Sequence, residues 1–407
     1  MPISSKISTW PVIISASAVL MITMGARQSS GLFVLPLNAA TGLGLVSISF
    51  ALAVGQLLWG AVQPLFGVIA DKWGSYRVLV LGAFLLAFGL ALTPVAPSDW
   101  SLLLTMGVLS AAGAGAGSFS ILIGVTARSI PPERRSFAGG LINAGGSLGQ
   151  VIFAPLAQAV IGAFGWVTAL LGLAVAALAT IPLALPLRGG SMPVQPAASK
   201  PSGVMWRQIV LSLRNPSYLC LHAGFFTCGF HVAFLVTHLP GEVALCGHSA
   251  TVSAASIGII GLFNIAGSLF AGALGSRFRM KYILAVMYGS RAVMIALFLL
   301  APKTTWTFYV FAAALGFTWL ATVPPTAGIV GKLFDTRYLA TLFGLTLLTH
   351  QIGGFLGAWL GGLAMDHHGN YQWMWYADIA LASLASLVNL PIREGKPVRR
   401  TINRKKG

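Results

Sequence analysis

Arg27 and His231 are the two residues of this sequence whose chemistry best suits recognition of an anion in apolar surroundings. Each lies within a long, mostly uncharged segment, and the two occupy matching places in an internal repeat with an offset of 204 residues. A guanidinium can bind a carboxylate through two parallel hydrogen bonds, and an imidazole can titrate near neutral pH. We therefore expect Arg27 to bind an anion, and His231 to face it across a cavity and to assist binding or take the proton.

Other polar side chains within the apolar segments are candidates for lining the same cavity. Those expected to contact a substrate are Gln28, Asn143, Asn264, Trp319, His350 and Gln351. Weaker candidates for the path are Gln56 and Gln63. Polar side chains also join membrane helices through hydrogen bonds, so a packing role is the alternative for each. Arg27 has a corresponding alternative as a buried structural donor to helix carbonyls.

Arg291 and Asp378 are the remaining charged residues within apolar segments, and their charges are opposite. An ionisable side chain in a bilayer is costly and normally faces a partner or a cavity. We expect these two to form a structural ion pair, because breaking such a pair leaves a charge uncompensated in a low-dielectric interior. The alternative is proton coupling through Asp378.

Several other kinds of chemistry lack the residues they need. No GxxxxGK[ST] loop is present, so direct use of ATP is not expected. Cys220, Cys228 and Cys246 have no metal-ligand spacing, and the adjacent His367 and His368 on a short loop are not expected to converge on one ion. We therefore expect no cofactor, no metal and no enzyme activity. A non-transporting membrane sensor is a further alternative.

The elements that carry these residues are predicted to be membrane helices. Of 407 residues, 56% are hydrophobic and only 8% are charged, whereas soluble proteins carry about 25% charged residues. A helix of about 20 apolar residues crosses a bilayer. The predicted segments are 11–36, 45–70, 77–97, 101–126, 136–160, 165–187, 216–240, 251–276, 282–301, 305–330, 338–365 and 371–392. The fold class is therefore all-α integral membrane with twelve spans.

The distribution of basic residues predicts the orientation of the chain. With twelve spans, 22 of the 25 Lys and Arg residues fall on one side of the membrane, and only Lys303 falls in a loop on the other. The positive-inside rule places that basic side, and both termini, in the cytoplasm. The net charge of +17 therefore reflects topology and contact with the lipid bilayer, and no nucleic-acid partner is expected.

The two halves of the chain resemble each other. Gly25 and Pro36 of the first segment match Gly229 and Pro240 of the seventh at an offset of 204 residues. Six segments in each half predict two related six-helix bundles that rock about a site near the midplane. The predicted parts are a bundle at 1–187, a cytoplasmic linker at 188–215, a bundle at 216–392 and a basic cytoplasmic tail at 393–407.

The loop after the second segment carries a motif of a known family. Gly67-x-x-x-Asp71-Lys72-x-Gly74-x-x-Arg77 resembles the loop motif of the major facilitator superfamily. In that family the aspartate holds the cytoplasmic gate by pairing with loop arginines and a helix terminus. The resemblance implies a gate here formed by Asp71, Arg77, Arg134 and Arg135.

The fifth segment narrows the resemblance. Its small residues at Ala138, Gly140, Ala144, Gly145 and Gly149 resemble the signature of the monocarboxylate porter family. This implies a transporter of small organic anions, in particular monocarboxylates, acting by proton symport or anion exchange as a monomer in a bacterial inner membrane. The charges of that family in the eighth segment are replaced by Asn264 and Ser268. An exporter or importer of a bulkier, partly apolar compound, with Arg27 structural, is therefore the alternative.

Overall fold

The computed structural model describes residues 9–96, 98–129, 132–189, 209–275, 277–334 and 339–394, and these residues form helices joined by short turns. The helices of the first half are α1 (Thr9–Gln28), α2 (Val34–Thr41), α3 (Leu45–Trp73), α4 (Ser75–Leu92), α5 (Asp99–Leu102), α6 (Ala111–Ala116), α7 (Phe119–Ser129) and α8 (Pro132–Leu183). Those of the second half are α9 (Pro216–Leu245), α10 (Ala250–Gly275), α11 (Met280–Leu300), α12 (Thr305–Thr318), α13 (Val323–Leu333), α14 (Leu339–His368) and α15 (Gln372–Asn389).

These helices make twelve crossings. Nine segments of the described chain are long and apolar enough to span a membrane. One of them, Ala138–Leu183, has 46 residues, and at about 1.5 Å per residue it exceeds twice the ~30 Å hydrocarbon core. Gly165, with φ of 85°, interrupts it and divides it into two crossings. The more polar α14 and α15 complete the twelve, so the predicted all-α twelve-helix fold is confirmed.

The internal repeat is visible in how the helices pack. Gly149 on α8 lies against the backbone carbonyl of Met21 on α1, so that a side chain at position 149 would clash with it. Gly353 on α14 lies in the same way against the carbonyl of Phe226 on α9. The two contacts are related by an offset of 204 to 205 residues. Small residues allow such close approach of membrane helices, and here they build both bundles alike.

Three predicted segments are interrupted rather than continuous. The first breaks into a short 3-10 turn at Ser30–Phe33, and the fourth contains a π-helical stretch at Leu103–Ser110. The tenth is broken between α12 and α13, where Pro324 and Pro325 follow the break. A proline lacks the N–H of the helical hydrogen bond and disfavours helical geometry in the preceding residue. Hydropathy averages over such breaks, because the residues on both sides remain apolar.

The two bundles meet along a seam formed mainly by α3 against α14 and α8 against α10. We call the end of the molecule opposite to the start of α1 the distal end. The ring centroid of Phe50, near the distal start of α3, lies 6.0 Å from that of Phe355 and 5.7 Å from that of Trp359 on α14. Gly31 packs against the backbone carbonyl of Val236 on α9. These contacts close the seam in its distal half.

Candidate functional site

Arg27 occupies the last turn of α1, immediately before the break in the first crossing. A helix ends with a partial negative charge, which stabilises a cation at this position. One terminal nitrogen of Arg27 donates a hydrogen bond to Oε1 of Gln56, and the guanidinium carbon lies 4.1 Å from the ring centroid of Trp59. Gln56 and Trp59 are three residues apart on α3, so both face α1.

Arg27 borders a small cavity on the seam. Its volume is about 70 Å³, and both bundles contribute to its walls. Its polar lining consists of Arg27, Ser30, Gln56, Ser110 and Thr237. The remaining lining residues are apolar or glycine, so none of the described residues that line the cavity is acidic. Arg27 is therefore a half-buried cation whose described partners are neutral, which is the electrostatic arrangement of an anion receptor.

His231 does not face Arg27, contrary to expectation. It is 1% exposed and lies inside the second bundle, where its Nδ1 shares a hydrogen bond with Oδ2 of Asp378 on α15. The indole of Trp319 lies beside the imidazole, with ring centroids 6.0 Å apart. The repeat therefore does not preserve the direction of these two side chains. The two helices also differ in extent, since α1 ends at Gln28 whereas α9 continues to Leu245. Residues Ala233, Val236 and Thr237 of α9 face the cavity instead.

The predicted ion pair between Arg291 and Asp378 is wrong. Asp378 pairs with His231, and Arg291 binds the interrupted tenth crossing. One terminal nitrogen of Arg291 donates to the backbone carbonyls of Thr318 and of Trp319, the latter at 2.7 Å, and its Nε lies 3.3 Å from the hydroxyl of Thr318. The break leaves these carbonyls short of helical donors, since the N–H of Val323 bonds to Leu320 instead. Arg291 thus supplies hydrogen-bond donors to the carbonyls at the break in the helix.

Asn264 joins helices rather than projecting freely into the cavity. Its amide nitrogen donates to Oγ of Ser147 on α8 at 2.9 Å, which links the two bundles. Its amide oxygen accepts from the N–H of Leu320 at 3.0 Å, at the break between α12 and α13. The same oxygen also accepts from the hydroxyl of Ser268, one turn along α10, at 3.3 Å. The packing alternative therefore describes Asn264 better than substrate contact does.

The other predicted contact residues are divided between the seam and the bundle interiors. Gln351 is 1% exposed and packs on Gly60 across the seam. Trp319 is fully buried beside His231, and His350 packs on Phe225 with ring centroids 5.0 Å apart. Gln28 is buried with Oε1 unpaired, and Asn143 is half-buried on α8. None of these five lines the cavity at Arg27.

Most of the predicted gate lies outside the described residues. The side chains of Asp71, Arg134 and Arg135 are among those the structure does not describe. Arg77 is exposed near the start of α4, and Gly74 makes the turn from α3 to α4 with φ of 92°. The gate therefore remains a prediction from the motif.

Trp59 is the contact of Arg27 that the sequence analysis did not identify. Its only signal is the three-residue spacing from Gln56, which places both side chains on one face of α3. Ser110 and Thr237 were also missed. Small hydroxyl residues are common in membrane helices, so their types alone do not distinguish cavity lining from packing.

Comparison with known proteins identifies similar transporters and a solved structure of the same fold. The chain is 28% identical over 388 residues to monocarboxylate transporter 13 of Rattus norvegicus, covering 94% of this chain and 89% of that one. It is 24% identical to the oxalate:formate antiporter of Oxalobacter formigenes, covering 97% and 94% of the two chains. The crystal structure of a D-xylose-proton symporter has the same fold, with a TM-score of 0.75 over 95% of this chain and 99% of that one at 13% identity.

A family-level match covers most of the chain. The profile of the Major Facilitator Superfamily matches residues 15–358, which include most of both bundles and end within α14. The curated relatives are transporters, and they extend over nearly the full length of this chain. The chain therefore belongs to the Major Facilitator Superfamily and is an integral membrane transporter.

Proposed function

We propose that this transporter carries small organic anions, in particular monocarboxylates, and that Arg27 binds the carboxylate. The observation that carries the proposal is the charge of Arg27 on a cavity where, within the described part of the chain, no acidic side chain compensates it. Asp378, the acid buried within the second bundle, is engaged by His231 and does not neutralise it. Two relatives with names that specify monocarboxylates or oxalate and formate support the same substrate class.

The size of the cavity favours a small substrate. Its volume of about 70 Å³ lies well below the ~300–1,000 Å³ of sites for drug-sized ligands. The carboxylate would replace Gln56 as the hydrogen-bond acceptor of the guanidinium, and the ring of Trp59 would hold the guanidinium plane in place. A fork of parallel N–H donors suits a planar carboxylate better than it suits a neutral amide oxygen.

Alternating access supplies the transport step in this proposal. With both termini in the cytoplasm of a bacterium, the closed distal half of the seam is the periplasmic gate, and the substrate leaves toward the cytoplasm. Rocking of one bundle on the other then opens the contact of Phe50 with Phe355 and Trp359 and exposes Arg27 to the periplasm. The protein acts as a monomer, because one chain contains both bundles and the cavity between them.

Transport of the anion is coupled either to a proton or to the opposite movement of a second anion. In proton symport, the His231–Asp378 pair takes up a proton with each anion, and its burial isolates the proton in the closed state. In anion exchange, the bundles move only when a bound anion compensates the positive charge of Arg27. Each movement therefore carries an anion. A pH gradient distinguishes the schemes, because it drives net uptake only in symport.

The test is uptake of labelled lactate, pyruvate, oxalate and formate by proteoliposomes, with and without a pH gradient or internal anion. Arg27→Ala is expected to abolish uptake, and Arg27→Lys to weaken the apparent affinity by about tenfold, since a charge-assisted hydrogen bond is worth about 1.5–3 kcal/mol. Arg277→Ala, in an exposed loop, is the matched control and should retain uptake. Full uptake by Arg27→Ala, or lack of competition by every carboxylate, would refute the proposal.

The alternative substrate is a bulkier, partly apolar compound, with Arg27 serving only to hold α1 on α3. The contacts of Arg27 with Gln56 and Trp59 would then be its whole role. Thermal stabilisation of the purified protein by hydrophobic compounds but by no carboxylate would favour this alternative. Stabilisation by carboxylates that is lost in Arg27→Ala would exclude it.

A further inference from the structure

A second and larger cavity lies at the distal end of the second bundle, away from the seam. Its volume is about 680 Å³, and it is bordered by the ends of α9 and α11 and by the start of α15. Its lining residues include Glu242, Ala296, Leu300, Lys303, Trp375 and Tyr376. We call this cavity the distal crevice. Arg27 and the residues of the substrate cavity do not border it.

Glu242 provides the crevice with an acidic group. Its Oε2 accepts a hydrogen bond from the indole N–H of Trp375 at 3.2 Å, and its Oε1 has only a weak contact with the thiol of Cys246 at 3.9 Å. Among the described residues, no Lys, Arg or His nitrogen lies within 4.0 Å of the carboxylate. Burying a carboxylate near a membrane without a cation in contact is unfavourable in free energy. The carboxylate of Glu242 can also accept further hydrogen bonds.

The aromatic walls around Glu242 suit an organic cation. Tyr371, Trp375 and Tyr376 border the crevice together with the carboxylate. Aromatic faces attract ammonium groups, and a carboxylate among them adds a charged acceptor. Burial, and next the charge of Glu242, raise the pKa of the Tyr371 phenol, so this hydroxyl remains protonated beside the carboxylate.

Lys303 adds a fixed positive charge at the border of the crevice, more than 4.0 Å from the carboxylate of Glu242. Its ammonium donates to the carbonyls of Phe298, Leu299 and Ala301 at the end of α11, at 2.5, 3.2 and 3.2 Å. All three N–H donors are therefore used within the protein, and the ammonium stays in place without pairing with Glu242. The hydroxyl of Tyr376 accepts from Gln372 at 2.9 Å and keeps its own proton available at the mouth. The crevice thus offers one negative and one positive group that are not in contact with each other.

The crevice lies near the ends of membrane helices, at the level where lipid headgroups are expected. Glu242 lies three residues before the end of α9, about 4.5 Å along the helix axis. Leu300 is 83% exposed and Tyr376 is 56% exposed, so the apolar rim continues into the surface that faces the hydrocarbon. Acyl chains can follow this rim while the polar group enters the crevice.

We propose that the distal crevice binds a phospholipid whose headgroup carries a primary ammonium, as in phosphatidylethanolamine. The ammonium binds the carboxylate of Glu242 between the aromatic rings. The phosphate lies toward Lys303 and the Tyr376 hydroxyl, and an acyl chain runs along Leu300. The headgroup matches the crevice in charge and in position. Its ammonium and its phosphate lie at the depth of Glu242 and Lys303, which carry the opposite charges. This site is independent of the proposed transport activity.

The experiment measures lipid binding to the purified full-length protein by native mass spectrometry. The probes are phosphatidylethanolamine, phosphatidylcholine and phosphatidylglycerol with identical acyl chains. Wild-type protein is expected to bind phosphatidylethanolamine about tenfold more tightly than phosphatidylglycerol, and Glu242→Gln to lose that preference, because the charge-assisted bond to the ammonium is lost. Asp366→Asn, an exposed carboxylate at the same end that does not border the crevice, is the matched control and should keep it.

Two further measurements keep the proposal falsifiable. Ala296→Phe fills the crevice while leaving Glu242 in place, and it should reduce phosphatidylethanolamine binding even if Glu242→Gln fails to fold. Equal binding of phosphatidylethanolamine and phosphatidylglycerol by wild-type protein would overturn the proposal, as would an unchanged preference in Glu242→Gln or Ala296→Phe. Equal binding of phosphatidylcholine would overturn the assignment of a primary ammonium.

Discussion

His231 and Asp378 are bound to each other inside the second bundle, although 147 residues separate them in the chain. Both side chains are almost completely buried, at 1% and 0% exposed. The pair holds the acid of α15 away from the cavity at Arg27, and among the described residues that arginine has no acidic counterion. The electrostatic character of the proposed substrate site therefore depends on a contact made elsewhere in the molecule.

The first prediction concerns the role of this pair in coupling. Asp378→Asn preserves the shape of the side chain but removes the group that would carry the proton. In the symport scheme, uptake driven by a pH gradient should fall to the level of empty liposomes, while exchange between internal and external anion continues. Asp99→Asn, at an exposed acid, serves as the control. Gradient-driven uptake by Asp378→Asn at the wild-type rate would exclude the pair as the proton carrier.

The second prediction tests whether Arg27 must be released from Gln56 before an anion binds. Gln56→Glu places a carboxylate of equal size on the guanidinium, where it competes with the substrate. Breaking this charge-assisted contact costs about 1.5–3 kcal/mol, so apparent anion affinity should fall by about tenfold or more. Competition of unlabelled anion against labelled uptake measures the change.

Gln63→Glu is the matched control for that experiment. Gln63 lies two turns further along α3, where its amide oxygen accepts from Ser120 at 2.6 Å and its amide nitrogen donates to the carbonyl of Trp59. It has the same chemistry as Gln56 but does not contact Arg27. An equal loss of affinity in both variants would show that added negative charge on α3, rather than occupation of Arg27, is responsible.

The third prediction assigns Arg291 to stability. Arg291→Met removes the donors to the carbonyls of Thr318 and Trp319, and each buried carbonyl left without a partner costs about 1–3 kcal/mol. The midpoint of thermal unfolding in detergent should therefore fall. Arg279→Met, at an exposed loop position, should leave it unchanged. If Arg291→Met unfolds at the wild-type temperature, Arg291 does not support the broken helix.

The fourth prediction concerns the close packing repeated in both bundles. Gly353→Ala places a methyl group against the backbone carbonyl of Phe226, which can move only if α14 shifts on α9. We expect a lower unfolding temperature and a lower yield of folded protein. Gly344→Ala on the same helix meets no atom within 4 Å and should gain about 0.5–1 kcal/mol of helix stability. Equal behaviour of the two variants would contradict the packing argument.

The sequence predicted most of the architecture of this chain. Long apolar segments separated by basic loops predict membrane helices, because a bilayer admits few charges and requires each span to satisfy its own backbone hydrogen bonds. The small residues of the fifth segment indicated a family resemblance, and one of them, Gly149, packs against α1. The loop motif after the second segment indicated the superfamily that the profile match established.

The partners of the buried polar residues could not be predicted in the same way. The interruption after α12 created free carbonyls that Arg291 binds. Asp378 is therefore not paired with Arg291, and it forms a hydrogen bond with His231 instead. Hydropathy does not register such a break, and an offset in a repeat does not specify which way a side chain turns. Gln56 and Trp59 likewise became contacts of Arg27 only because α3 packs beside the end of α1.

The sequence by itself thus determined which residues lie in the membrane, since transfer free energy depends on local composition. Only the tertiary structure decided which buried charge is compensated and which remains available. Pairing energies depend on distances between helices that are remote in the chain, and no local pattern encodes those distances. Among the described residues Arg27 has no acidic partner, and the buried Asp378 lies in the other bundle, bound to His231.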